Sequence, residues 1–200
     1  MKDEKKFNTQ KLVVMAIMTA IVVLLQILAI LTRPLLPLFS ITLVLMPIVI
    51  GAALIGVGAG GWLGFVFGVA VLFSGDANVF LAINPAGTVI TVLAKGALAG
   101  FAAGLAYKIL SVKSKTLGAI ATAVICPIVN TGIFTLGSYV FFYDTLSEWG
   151  IAEGFTSVAA FLFIVMIGIN FIIELGLNIV LCPAIIRLIQ YGQKTFVENK

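Results

Sequence analysis

Apolar residues in this chain run in long blocks, broken by short polar stretches, instead of alternating or recurring at amphipathic spacing. Leu12–Leu31 is the first block, and its length matches the roughly 20 residues a helix needs to cross a bilayer. Thr32–Leu38 holds Pro34 and Pro37 and predicts a loop. A second apolar segment runs from about Phe39 to Ile55. Gly56, Gly58, Gly60 and Gly61 then predict a tight turn before a short third span, about Trp62–Phe73. Ser74–Asn84 is a polar loop with Asp76 and Asn78. Pro85–Tyr107 is the fourth span, with its proline in the first turn, where a missing N–H leaves no bond unmade. Lys108–Lys115 is a basic loop, about 116–142 is the fifth span, and Tyr143–Thr156 is an acidic loop. The sixth span runs from Ser157 to about Arg187. The pattern predicts an all-α membrane protein: one transmembrane domain over residues 1–200, built as a six-helix bundle.

Charge orients that bundle. Ten of the 12 Lys and Arg residues fall on one side: Lys2, Lys5, Lys6, Lys11, Lys108, Lys113, Lys115, Arg187, Lys194 and Lys200. Arg33 alone lies on the other side, and Lys95 is intramembrane. Asp144, Glu148 and Glu153 make the loop after the fifth span acidic. Basic residues mark the cytoplasmic side, so both termini are expected in the cytoplasm. The first block is longer than a signal-peptide core and has no small-x-small cleavage site, so it is expected to stay as a span. The composition, 62% apolar and 10% charged, excludes a water-exposed fold, since soluble chains carry roughly 25% charged residues. The surplus of base consists of topology signals and does not indicate nucleic-acid binding.

Small residues recur every fourth position: Gly56, Gly60, Gly64 and Gly68 around the third span, and Gly96, Gly100 and Gly104 in the fourth. Such rows allow close helix approach in lipid and are expected to pack within the bundle. Ala16 and Ala20 form a similar pair in the first span, free to pack inward or meet a partner.

The polar residues inside the spans are the candidate chemistry. Lys95 lies 13 residues from Lys108, and Glu174 lies 13 residues from Arg187. At 1.5 Å per residue both sit roughly 20 Å above the inner boundary. At one depth they can pair, and intramembrane charges are commonly functional. Asn170 and Asn178 flank Glu174 at i−4 and i+4, on one helix face. Asn130 and Thr131 lie about 15 residues above Lys115, and Asn84, Thr88 and Thr91 open the fourth span. Three spans thus converge on a polar patch in the outer half, the usual form of a small-molecule site. Phe39, Phe80, Tyr139, Phe141, Phe142, Tyr143 and Trp149 are expected at the outer interface, with one or two lining the pocket.

Histidine is absent, removing the commonest general base and metal ligand. Cys126 and Cys182 have no metal-site spacing and are expected to be buried thiols. Phosphate-loop, dinucleotide, zinc-protease and nucleophile-elbow motifs are missing. No catalysis, metal or cofactor is expected, and uphill transport would need energy from another subunit. The alternatives are a stand-alone ion-coupled carrier or channel, and a membrane enzyme or scaffold.

Ala16-Ile-Met-Thr-Ala20, Asn84-Pro85-Ala-Gly-Thr88 and Pro127-Ile-Val-Asn130-Thr131-Gly132 together resemble the substrate-binding S components of energy-coupling factor (ECF) vitamin transporters. The resemblance covers nearly the whole chain. It implies capture of a water-soluble vitamin from outside a bacterial cytoplasmic membrane, and association with a membrane coupling protein and two cytoplasmic ATPases. It gives Ala16 and Ala20 the contact with the coupling protein. The loop with Arg33 becomes the gate. It also implies that the loaded subunit topples to release its cargo. The resemblance is closest to pantothenate-type members; Lys95 or Arg33 suits a carboxylate, while Glu174 cuts against a purely anion-selective site unless it pairs with Lys95 or accepts ligand hydroxyls. Folate, cobalamin, riboflavin and a hydroxymethylpyrimidine-type ligand stay open. The polar patch and the gate together give the candidate substrate-binding set: Arg33, Asn84, Thr88, Lys95, Asn130, Thr131, Asn170, Glu174 and Asn178.

Overall fold

The computed structural model describes residues 2–32 and 43–198, and every regular element among them is helical. The elements are α1 (Lys2–Thr32), α2 (Leu45–Leu54), α3 (Val57–Phe73), α4 (Asn78–Ile83), α5 (Pro85–Leu110), α6 (Lys115–Phe141), α7 (Tyr143–Ala152) and α8 (Val158–Phe161). A π-helical segment, Leu162–Gly168, then leads into α9 (Ile169–Glu198). Four stretches are long and apolar enough to cross a membrane: Thr9–Leu31, Pro85–Leu110, Lys115–Phe141 and Phe171–Gly192. α2 and α3 are shorter apolar helices.

The glycine-rich stretch after α2 differs from the sequence expectation. The turn is confined to Ile55 and Gly56, and helix resumes at Val57, so Gly58, Gly60 and Gly61 belong to α3. Gly56 carries the reversal with φ of 132°, a conformation that a side chain strongly disfavours. The other glycines are needed for packing. A Cβ on Gly60 would strike the Gly100 carbonyl oxygen, and one on Gly64 would strike that of Gly96. One on Gly68 would lie 2.8 Å from the Val92 oxygen. α3 and α5 are thus antiparallel and meet backbone to backbone, the internal packing the four-residue rows imply.

Two stretches expected as loops contain helix: α4 lies within Ser74–Asn84, and α7 within the acidic loop. α7 buries Leu146 against Phe161 and Leu162. The start of the second span, near Phe39, lies outside the described residues.

α5 begins as expected. Asn84 takes an extended conformation, its side chain accepts from the Gly87 N–H at 2.9 Å, and Pro85 occupies the first helical position. α1 packs against the body through a narrow stripe. Val22 and Gln26 are buried, while Leu12, Leu24, Ile27 and Leu31 are exposed, consistent with lipid-facing surface.

Candidate ligand-binding site

The α3–α5 seam and the α5–α6 contact together create a cavity. On α5, Thr88, Thr91 and Lys95 recur at i, i+3 and i+7 and share one face. α6 runs antiparallel beside it. A Cβ on Gly137 would overlap the Thr91 side chain, and one on Gly87 would lie 2.8 Å from Phe141 Cβ. This register brings Phe134 and Ser138 opposite Lys95 and Thr91. Phe80 from α4, Phe142 after α6 and Asp76 before α4 complete the wall. The cavity is about 170 Å³, lined by Asp76, Thr88, Thr91, Lys95 and Ser138, with Phe80, Phe134, Phe142, Val71, Ala77 and Val92 as its apolar part.

Lys95 is held by aromatic faces. Its ammonium lies 5.0 Å from the Phe134 ring centroid and 5.9 Å from that of Phe67, both within cation–π range. Glu174 on α9 is within electrostatic reach of Lys95 and of Cys126 on α6. The count from Lys108 and Arg187, which puts the two charges within reach of one another, agrees with that proximity. At the other end, Asp76 is more exposed. Its Oδ2 accepts from Gln26 Nε2 and from Ser74 Oγ, each at 2.8 Å.

Thr91 and Ser138 are 4% and 1% exposed, and neither hydroxyl oxygen has a hydrogen-bond partner among the described residues. Two adjacent buried hydroxyls in that state are costly unless something else satisfies them. Both line the cavity wall.

The predicted site residues divide into three groups. Thr88 and Lys95 line the cavity; Thr88 Oγ1 also donates to the Asn84 carbonyl at 2.8 Å. Asn84 serves as the α5 cap. Asn130 is buried one turn from Phe134 with Oδ1 unmatched, and Asn178 Nδ2 donates to the Glu174 carbonyl at 2.9 Å. Asn130, Thr131, Glu174 and Asn178 do not line the cavity. Arg33 and the Asn170 side chain lie outside the described residues. Asp76, Phe134 and Ser138 are cavity residues that the sequence reading leaves out of its site. Asn130, Phe134 and Ser138 recur every fourth residue on one α6 face, a pattern by which the last two could have been found.

Fold and cavity together describe a multi-helix membrane protein with a small internal cavity of mixed polar and aromatic lining. The family model described as "ECF transporter, substrate-specific component" matches residues 10–186, and the chain belongs to this family. Comparison with curated proteins and with solved structures returned no match.

Proposed function

We propose that this protein captures a small water-soluble vitamin outside a bacterial cytoplasmic membrane and delivers it inward with an ATPase-driven coupling complex. All six apolar segments cross the membrane in this reading, and the positive-inside rule sets both termini in the cytoplasm. Support comes from a family match over most of the chain. The observation that carries the ligand is the cavity with its two unmatched buried hydroxyls, Thr91 and Ser138.

Pantothenate is the first candidate. Its carboxylate suits the Lys95 ammonium, its hydroxyl groups suit Asp76 at the mouth, and its gem-dimethyl group suits Phe80, Phe134 and Phe142. Asn130, Thr131, Glu174 and Asn178 form a polar layer beside the chamber in this reading, and Asn170 keeps its sequence-based assignment to the same set. Mass spectrometry of the small molecule that co-purifies in mild detergent is the direct test. A stoichiometric vitamin supports the reading, and pantothenate supports the specific assignment. An empty protein that also ignores a vitamin panel, yet transports when reconstituted alone, would favour the stand-alone carrier.

The hydroxyl pair gives a prediction with opposite signs. Thr91→Val with Ser138→Ala is expected to weaken ligand binding by more than tenfold in calorimetric titration. It should also raise ligand-free stability by about 1 kcal/mol, because two buried unsatisfied groups disappear.

On α1, Ala16 and Ala20 open onto a shallow apolar groove with Met15, Thr19, Val23 and Trp62. This groove is proposed to receive a helix of the coupling protein, since small side chains let a second backbone come close. Ala16→Leu or Ala20→Trp is expected to abolish co-purification with the partner subunits while ligand affinity stays within threefold. Intact assembly and uptake in both variants would remove the role assigned to this face.

A further inference from the structure

α1 joins the body by few buried groups, and two of its polar contacts are spaced for one face. Trp62 Nε1 donates to Thr19 Oγ1 at 3.2 Å. Seven residues later, two helical turns on, Gln26 Nε2 donates to Asp76 Oδ2 at 2.8 Å. Val22, fully buried, lies between them. The second contact is unusual because Gln26 belongs to α1 and is not part of the cavity wall, whereas Asp76 is. Gln26 is 3% exposed, and its Oε1 is buried without a hydrogen-bond partner among the described residues. A long polar side chain is thus buried at a cost, and it spends its donor on one carboxylate oxygen. Ser74 Oγ reaches the same oxygen. Both donors orient the carboxylate through Oδ2.

We infer that Gln26 is a positioning residue for the ligand site: from outside the cavity wall it aims the Asp76 carboxylate along the cavity mouth and thereby couples α1 to that site. The inference rests on the cavity being the ligand chamber. A ligand donor that binds Asp76 then acts on a group α1 also holds, so occupancy and the seating of α1 are linked. The same helix carries the Ala16–Ala20 face.

The chain contains two tryptophans, and Trp62 reports the seating of α1 through its contact with Thr19. In a Trp149→Phe background, whose own affinity sets the reference, Trp62 is the sole tryptophan. Full-length protein in nanodiscs containing brominated lipid allows lipid access to Trp62 to be read as quenching. Pantothenate binding is measured in parallel by calorimetry. Gln26→Leu keeps the side chain's bulk and removes the donor. It is expected to increase quenching and weaken pantothenate at least tenfold. Asp76→Asn keeps an acceptor for Gln26, so quenching should stay at the reference value while affinity still falls at least tenfold.

Unchanged quenching in Gln26→Leu overturns the tether. Raised quenching with unchanged affinity overturns the positioning role and leaves the chamber reading intact. A reference protein that binds neither pantothenate nor any vitamin in a panel overturns the chamber reading and the positioning role with it, and the quenching arm then decides the tether alone. A Gln26→Leu protein that fails to elute as a single species is replaced by Gln26→Met, with the same expected results.

Discussion

Gly64→Leu is expected to eliminate the folded protein. In lipid there is no hydrophobic drive between helices, so association depends on close packing and on polar contacts. α3 and α5 supply that packing through facing backbones at Gly60/Gly100, Gly64/Gly96 and Gly68/Val92. A side chain at Gly64 meets the Gly96 carbonyl, and no rotamer can relieve a clash with backbone. Overpacking a core by a methylene or two costs about 1–3 kcal/mol. A four-carbon side chain at a backbone contact should cost on the order of 5 kcal/mol, comparable with a whole domain's stability. Parting the helices would also pull Phe67 away from Lys95 and open the cavity. Fluorescence-detected size exclusion should show no monodisperse peak. Gly58→Ala, on the same helix with open space around it, should be neutral or stabilising by up to about 1 kcal/mol. A monodisperse, ligand-binding Gly64→Leu protein would mean that α3 and α5 are not in contact.

That seam was legible in the sequence, because a four-residue glycine row in an apolar run has few other uses. Its first turn was not. Gly58, Gly60 and Gly61 resemble a loop by composition, and only the partner row on α5 shows why a helix would accept so many. That Lys95 and Glu174 could come within electrostatic reach was likewise legible from residue counts, since rise per residue is fixed. Azimuth was not, and it decides which polar residues reach the cavity: Lys95 and Thr88 do, while Asn130, Glu174 and Asn178 do not. Asp76 escaped because a carboxylate in a polar loop resembles solvated surface. Phe134 escaped because an aromatic in an apolar span carries no polarity signal. Gln26 is different. An amide within twenty otherwise nearly unbroken apolar residues is expensive in lipid, and its partner, Asp76, could be named only once the helices were packed.

Lys95→Met is expected to reduce ligand affinity at least a hundredfold, about 2.8 kcal/mol. Methionine keeps the apolar stem between Phe67 and Phe134, so the loss isolates the charge. Lys95 is the only ammonium on the cavity wall among the described residues. A carboxylate ligand that loses such a buried partner gives up about 2–5 kcal/mol. The single variant has a second effect, because Glu174 loses the positive charge that Lys95 supplies, so stability should fall as well. Lys95→Met with Glu174→Gln separates the two effects. The double variant should recover thermal stability, because neither charge remains in the apolar interior, yet bind as poorly as Lys95→Met. Calorimetric titration beside a melting curve reads both quantities on one preparation. Recovery of binding in the double variant would reduce Lys95 to a counter-charge for Glu174 and move ligand recognition to the hydroxyls and Asp76. Lys95→Arg sharpens the distinction. A guanidinium keeps the charge but is planar and larger, so it should preserve stability while lowering affinity roughly tenfold, because the added bulk takes space from the ligand in a cavity of about 170 Å³.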